Sequence, residues 1–211
     1  MSTEPETTNT EHVPWAWIKA ARDIVKAEPR RQPESMPVQL LPWLFLSDMS
    51  SVLKLDRLEE LGITSVLTTN KVFRDEDLWG MTAKLADRDI QHGYAGGVDI
   101  IGYDMMKYHW NDAKKFIQTA LENPKAKIVI HCAAGTNRSA LIAGAAMLEF
   151  GTDQEMTFLD AIRILKEERG VVLNNVWFIR QMAELAQTKQ KLGPKPVGYS
   201  DEPVPKSQLV F

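Results

Sequence analysis

One cysteine, Cys132, occurs in 211 residues. Six positions later stands Arg138, in the run Lys127-Ile-Val-Ile-His131-Cys132-Ala133-Ala134-Gly135-Thr136-Asn137-Arg138-Ser139-Ala140. The apolar residues ahead of Cys132 read as a buried strand and the alanine-rich stretch after Arg138 as a helix, so a short loop joins strand to helix N-terminus. The amides of such a loop, the first free N–H groups of the helix and the helix dipole together make a cradle for an anion. A thiol in that field can fall from about 8.5 to roughly 3.5–7.5 in pKa. Cys132 is then a thiolate nucleophile that needs no separate base. Arg138 presents a planar fork able to hold two phosphoryl oxygens, which lysine cannot do. Gly135 lets the loop turn tightly, Ser139 can donate to the thiolate, and His131 can orient the loop and hold the Cys132 pKa down. Ala133, Ala134, Gly135, Thr136 and Asn137 form the expected phosphate-binding loop, closed by Arg138. A single cysteine excludes an internal disulfide and a multi-cysteine metal site.

Positioning such a loop takes a sheet and the helices packed on it. From about residue 37 short apolar runs alternate with helix-length periodic stretches, the pattern of an α/β domain with a mostly parallel, mixed central sheet flanked by helices. Strands are expected over residues 38–46, 64–68, 127–131 and, more weakly, 89–94. Helices are expected over 51–61, 111–122, 139–150, 153–169 and 175–190, with Thr152 and Glu155 as a capping box for the fourth and Gly151 and Gly170 as stops. Residues 71–88 read as a charged connection that could rim the site. Trp17, Ile18, Ala21, Ile24 and Val25 recur at helical spacing behind Pro14, which predicts a helix over 14–28 that covers part of the core.

With 44% hydrophobic and 25% charged residues, the chain is long enough for one substantial core. Residues 1–13 and 191–211 have little to bury and are expected to be disordered tails, with residues 14–36 as helix and linker and 37–190 as the catalytic domain. A net charge of −3 argues against nucleic-acid or anionic-lipid partners. No run of about twenty apolar residues occurs, and the acidic start is unlike a targeting signal, so a cytoplasmic location is expected, with a nuclear one as the alternative.

His131-Cys132-x-x-Gly135-x-x-Arg138-Ser139 resembles the signature of the protein tyrosine phosphatase superfamily, and its surroundings resemble the small, atypical dual-specificity branch. The resemblance spans about residues 37–188. Pro42-Trp-Leu-Phe-Leu, then Leu58-x-x-Leu61-Gly62-Ile63-Thr64-x-Val66-Leu67, is similar to the opening strand, helix and strand of that branch. Asn175-x-x-Phe178 is similar to the entry of its last helix, with Asn174 where proline is common and Ser47 where glycine is common.

The resemblance implies a phosphocysteine mechanism without metal or other cofactor, and a general acid on a loop about thirty residues before the cysteine. Asp99 and Asp104 are the candidates, and Asp99 is preferred; Gly96 and Gly97 would suit a mobile loop there. Asn175 is expected to organise the loop, and Arg169 could meet a second phosphate. His92 and His109 lack metal-ligand partners at useful spacing and read as structural. The resemblance implies a phosphorylated protein as substrate, on tyrosine and on serine or threonine. The alternatives are a non-protein phosphate, such as a phosphoinositide or an RNA 5′-phosphate, and a phosphoprotein-binding scaffold with little turnover. The Leu209-Val210-Phe211 ending could add as a strand to a PDZ groove.

Overall fold

In a computed structural model, residues 13–28, 33, 35–72, 74–151 and 155–204 are described. Five strands form one sheet: β1 Val38–Leu41, β2 Leu44–Asp48, β3 Ser65–Asn70, β4 Gln91–Gly97 and β5 Ile128–Cys132. Their spatial order is β1-β2-β5-β3-β4, parallel throughout except for β1 against β2. This is the mixed, mostly parallel sheet that the alternating pattern predicts. β5 is buried along its whole length because helices cover both faces and strands flank both edges. The chain returns from the edge strand β4 to the centre at β5, and ligands of such sheets bind beyond the strand C-termini at that kind of reversal. Cys132 is the last residue of β5.

Eight helices are described: α1 Trp15–Lys26, α2 Met49–Val52, α3 Leu55–Leu61, α4 Asp75–Ala86, α5 Met105–Ala120, α6 Arg138–Phe150, α7 Phe158–Arg169 and α8 Val176–Thr188. On one side of the sheet α1, α5, α6, α7 and α8 close a large core around Leu44, Leu46, Ile128 and Ile130. On the other, Leu58, Leu85, Val66 and Val129 close a smaller one beneath α3 and α4. The alternation along β5 thus feeds both cores, with Val129 in one and its two isoleucine neighbours in the other. α6 is buried through ten consecutive residues, Ser139 to Leu148, so its alanines and Gly144 let neighbouring helices approach closely; a Cβ on Gly144 would strike the Met182 thioether.

Several expectations are corrected. The single strand over 38–46 is two antiparallel strands, because the chain reverses at Pro42-Trp43. The helix over 51–61 is broken into α2 and α3 at Leu53-Lys54. Most of the charged connection 71–88 is α4, whose Asp75, Glu76 and Asp77 suit the positive end of the helix. α5 starts at Met105, ahead of the expected 111. α7 starts at Phe158, with a capping box of Thr157 and Asp160; Thr152 of the expected box lies outside the described residues. Gly151 does end α6, in an ordinary extended conformation and not a left-handed one.

α1 packs on α7 and α8 with Ala16, Ile18, Ala21 and Val25 buried, and the Lys166 ammonium donates to the Val25 carbonyl at 2.8 Å. Residues 191–204, expected to lie free as a tail, pack back on the protein. Lys191 O accepts from the Phe158 N–H at 2.7 Å, Tyr199 Oη donates to Asp23 Oδ2 at 2.8 Å, and Val204 is buried. Residues 1–12 and the 209–211 ending lie outside the described residues. Among the described residues no helix is long and apolar enough to cross a membrane.

Candidate active site

The loop from Cys132 to Arg138 leaves β5 and wraps over the end of β2. Met49 N donates to Ala133 O at 3.2 Å and Leu173 N donates to Thr136 O at 2.9 Å, so neighbouring segments brace the loop from both sides. Gly135 is left-handed, with φ +65°, and a Cβ there would lie 2.7 Å from the Ser47 carbonyl oxygen. Both the conformation and the close approach demand glycine.

Cys132 is 1% exposed. Burial alone would push its thiol up. That is outweighed by the Ser139 hydroxyl, which donates to Sγ at 3.2 Å, by the Ser139 and Thr136 backbone N–H groups, and by the Arg138 charge, which together leave the thiol below its ordinary value. Two of the inward amides that an anion cradle requires thus face the sulfur. Arg138 donates from Nη1 to Gly97 O at 3.3 Å, and its Nε is buried without a partner. Lys71 N shares the same Gly97 carbonyl at 2.8 Å, which fixes one end of the guanidinium against the tips of β3 and β4.

His131 is fully buried, and burial holds its pKa down at about 4. It is therefore a neutral ring near pH 7, and a hydrogen bond from the ring to the Cys132 backbone, which works against that lowering, joins it to the nucleophile. Its position is set by Thr68 Oγ1 at 2.7 Å from Nε2, and by Thr69 Oγ1, which donates to the His131 carbonyl at 2.7 Å.

Asp99 lies just past β4, exposed, and is held by two amides. Asn137 Nδ2 donates to Oδ2 and Asn175 Nδ2 donates to Oδ1, each at 3.0 Å. Asn175 also donates its backbone N–H to Asn137 Oδ1 at 3.3 Å and caps α8 by accepting from Trp177 N at 3.1 Å. The loop, the acid candidate and the entry to α8 are thereby one hydrogen-bonded unit. Asp104 sits elsewhere: its carboxylate caps α5, accepting from Lys107 N at 2.9 Å. Gly96 and Gly97 belong to β4 and are not loop hinges. A Cβ on Gly97 would strike the Met105 sulfur, and one on Gly96 the Tyr94 ring, so both serve close packing. The segment after Asp99 is anchored by Gln181, which donates to Tyr103 O at 2.8 Å and accepts from Met106 N at 3.0 Å.

Arg169 reaches the outer edge of the loop, donating from Nη2 to Ala134 O at 3.1 Å, and its charge also helps lower the Asp48 pKa against burial. Two features had no signal in the sequence. The Asn137 side chain turns out of the loop to Asp99 instead of lining it, and the buried Thr68 holds the signature histidine.

A family model described as the dual specificity phosphatase catalytic domain matches residues 44–188. The chain is 30% identical over 155 residues to human dual specificity protein phosphatase 26, covering 70% of this chain and 65% of that protein. Mouse dual specificity protein phosphatase 13B is 29% identical over 147 residues, 70% of this chain and 71% of that protein. The chain thus spans somewhat less than two thirds of the first of these relatives. Among solved structures, human DUSP28 superposes with a TM-score of 0.61 at 18% identity, covering 76% of this chain and 99% of that one. DUSP15 gives 0.57 at 23% identity, covering 73% and 90%.

Proposed function

The chain belongs to the dual specificity phosphatase family, and we propose that it is a protein phosphatase acting on phosphotyrosine and on phosphoserine or phosphothreonine through a phosphocysteine intermediate. The observation that carries this reading is the convergence of the Ser139 hydroxyl, the Thr136 and Ser139 N–H groups and the Arg138 charge on the Cys132 sulfur.

The Cys132 thiolate attacks phosphorus in line with the leaving oxygen. The S–P bond forms as the P–O bond to the substrate breaks, and Asp99 gives its proton to the departing alkoxide or phenoxide. Arg138 and the loop amides hold the three other phosphoryl oxygens as charge shifts among them. Water then attacks phosphorus while Asp99 takes back a proton, and the thiolate leaves as inorganic phosphate forms. The two amides on Asp99 fix its carboxylate over the loop for both transfers.

Two features favour a protein over a polyanionic substrate. Residues 133–137 carry no basic side chain to meet extra phosphates. Next to Asp99 the large side chains Ile100 and Ile101 stand more than half exposed, as does Tyr108 on α5, an apolar rim suited to side chains flanking a phosphorylated residue. The test is hydrolysis of an aryl phosphate and of matched phosphotyrosine, phosphoserine and phosphothreonine peptides by wild type and Cys132→Ser. Turnover of all three peptides, abolished in the variant, is expected. An inert wild type, or undiminished turnover in the variant, would overturn the reading.

A further inference from the structure

Between α2, the tip of β3 and α4 runs an open groove of about 650 Å³, with Leu53, Val72 and Met81 among its apolar walls. Leu53 is 52% exposed there, a large apolar side chain that nothing in the fold covers. One end of the groove adjoins the catalytic loop. Met49, which lines that end, donates its N–H to Ala133 O at 3.2 Å, and Lys71 across from it shares the Gly97 carbonyl with Arg138. A segment of polypeptide leaving the phosphate site can therefore pass directly into the groove.

The α4 wall holds a residue that the fold itself does not require. Gly80 lies in the middle of that helix, a position where only proline is less favourable than glycine. It does not take up a left-handed conformation, and a Cβ built on it would meet nothing within 4 Å. Neither a turn nor a close neighbour accounts for this glycine; its missing side chain leaves the groove open. The charges in the walls are also unevenly placed. Arg74 is held by both oxygens of Asp77, each at 3.0 Å. Lys71 and Glu76 set opposite charges toward the loop end. Lys84 stands eight residues beyond Glu76, about 12 Å along the helix, and its ammonium has no ion-pair partner among the described residues. The far end of the groove is therefore positive.

We propose that this groove is a specificity site for the segment of a phosphoprotein substrate that adjoins the phosphorylated residue. The segment lies extended, with a large apolar side chain against Leu53, Val72 and Met81 and an acidic side chain at Lys84. An extended chain advances about 3.3 Å per residue, so the acidic residue stands about four positions beyond the one at the mouth. The inference rests on the phosphatase reading and deepens it. A small aryl phosphate occupies the loop alone and has nothing to place in the groove, so the groove discriminates among substrates without entering the chemistry.

Fluorescence anisotropy with the Cys132→Ser protein and three labelled phosphotyrosine peptides tests this. One peptide carries the apolar and acidic residues before the phosphotyrosine, one carries them after it, and one has only glycine and serine on both sides. One of the first two should bind about tenfold or more tighter than the third, the worth of burying one large apolar side chain. Adding Gly80→Leu, whose side chain projects into the open groove, should remove that gain. Adding Lys84→Glu should reduce it roughly two- to fivefold, as expected for a charge at the surface. Three peptides that bind alike would overturn the proposal, as would a gain untouched by Gly80→Leu or by Lys84→Glu. The Lys84 variant changes an exposed side chain and decides alone if the Leu variant does not fold. A protein that sediments as a dimer, dissociated by Gly80→Leu, would give the groove to a second copy of the chain and overturn the proposal as well. Binding needs no turnover, so failure of the phosphatase reading would show separately, as a wild type that does not hydrolyse an aryl phosphate.

Discussion

Asn175 Nδ2 donates to Asp99 Oδ1 at 3.0 Å across 76 positions of sequence, while Asn137, inside the catalytic loop, holds the other oxygen. A carboxylate gripped at both oxygens has its approach to a leaving group set by the loop that binds the phosphate. Replacing Asn175 by Ala frees one oxygen, and the loss should appear where protonation matters. With alkyl phosphates, whose leaving groups are strong bases, kcat should drop about tenfold or more, whereas an aryl phosphate with a good leaving group should lose little. Because Asn175 also caps α8, a stability loss of about 1 kcal/mol should accompany it. Equal slowing of both substrates would mean that the contact serves the fold and not the acid.

Asp99→Asn should produce the same split more strongly, by about 10²–10⁴-fold on alkyl phosphates. Asp104→Asn should not produce it, since asparagine replaces aspartate well as an N-cap at α5. A leaving-group plot for the two variants checks this, and an Asp104 effect on the alkyl substrates alone would reverse the assignment.

The strand, loop and helix around Cys132 were legible because each writes a strong local pattern: an apolar run for β5, a glycine at the turn, small residues along α6. The Pro42-Trp43 reversal was not, since it lies in a continuous apolar run whose period does not distinguish one strand from two. α4 was hidden because its apolar positions are few, with Met81 and Leu85 as its buried side chains. Residues 191–204 read as a tail because proline and glycine spacing says nothing of a surface waiting on α1. The pairing of Asn137 and Asn175 on Asp99 depends on three loops meeting at the end of the sheet, and no spacing in one chain encodes that.

The acidic limb of kcat/KM against pH should follow the Cys132 thiol, whose pKa is lowered from its ordinary value. The thiolate is the reactive form, so activity rises as pH passes upward through that pKa. Removing the Ser139 hydroxyl takes away a bond that favours the thiolate, so Ser139→Ala should move the limb to higher pH and slow alkylation by iodoacetamide near neutrality. Breakdown of the phosphocysteine should slow as well, because the same hydroxyl favours the departing thiolate; burst amplitudes with an aryl phosphate would show it.

Gly135→Ala should disable the loop without touching a reacting atom. The residue has φ +65°, a region that costs an alanine roughly 1–2 kcal/mol, and its new Cβ would lie 2.7 Å from the Ser47 carbonyl oxygen. The backbone of β2 is pinned by its pairing with β5, so the loop must move instead. A displacement near 1 Å at the phosphate amides should reduce kcat on the order of 100-fold, with the fold retained by circular dichroism. Near-normal turnover would show that the loop adapts more freely than its contacts indicate.

The packed residues 191–204 offer a test of stability separate from catalysis. Val204 is 6% exposed within the main core, and the polypeptide leading to it is tied to α1 by Tyr199 on Asp23, by Lys19 on Ser200 and by the Ala16 N–H, which donates to Asp201 Oδ1 at 3.4 Å, with the Lys195–Asp201 ion pair inside the segment. Val204→Asp would bury a carboxylate among apolar side chains, which the protein avoids by releasing the segment, so the loss is limited to what the segment contributes. That is about 1–2 kcal/mol, or a fall in Tm of roughly 2–8 °C for a chain of this size. Tyr199→Phe removes one exposed hydrogen bond and should cost about 0.5 kcal/mol at most. Neither change reaches the loop at Cys132, so kcat at 25 °C should match wild type in both. An unchanged Tm in Val204→Asp would mean that this segment does not cover α1 in solution, whereas a loss of kcat would tie it to the catalytic loop through α1 and α7.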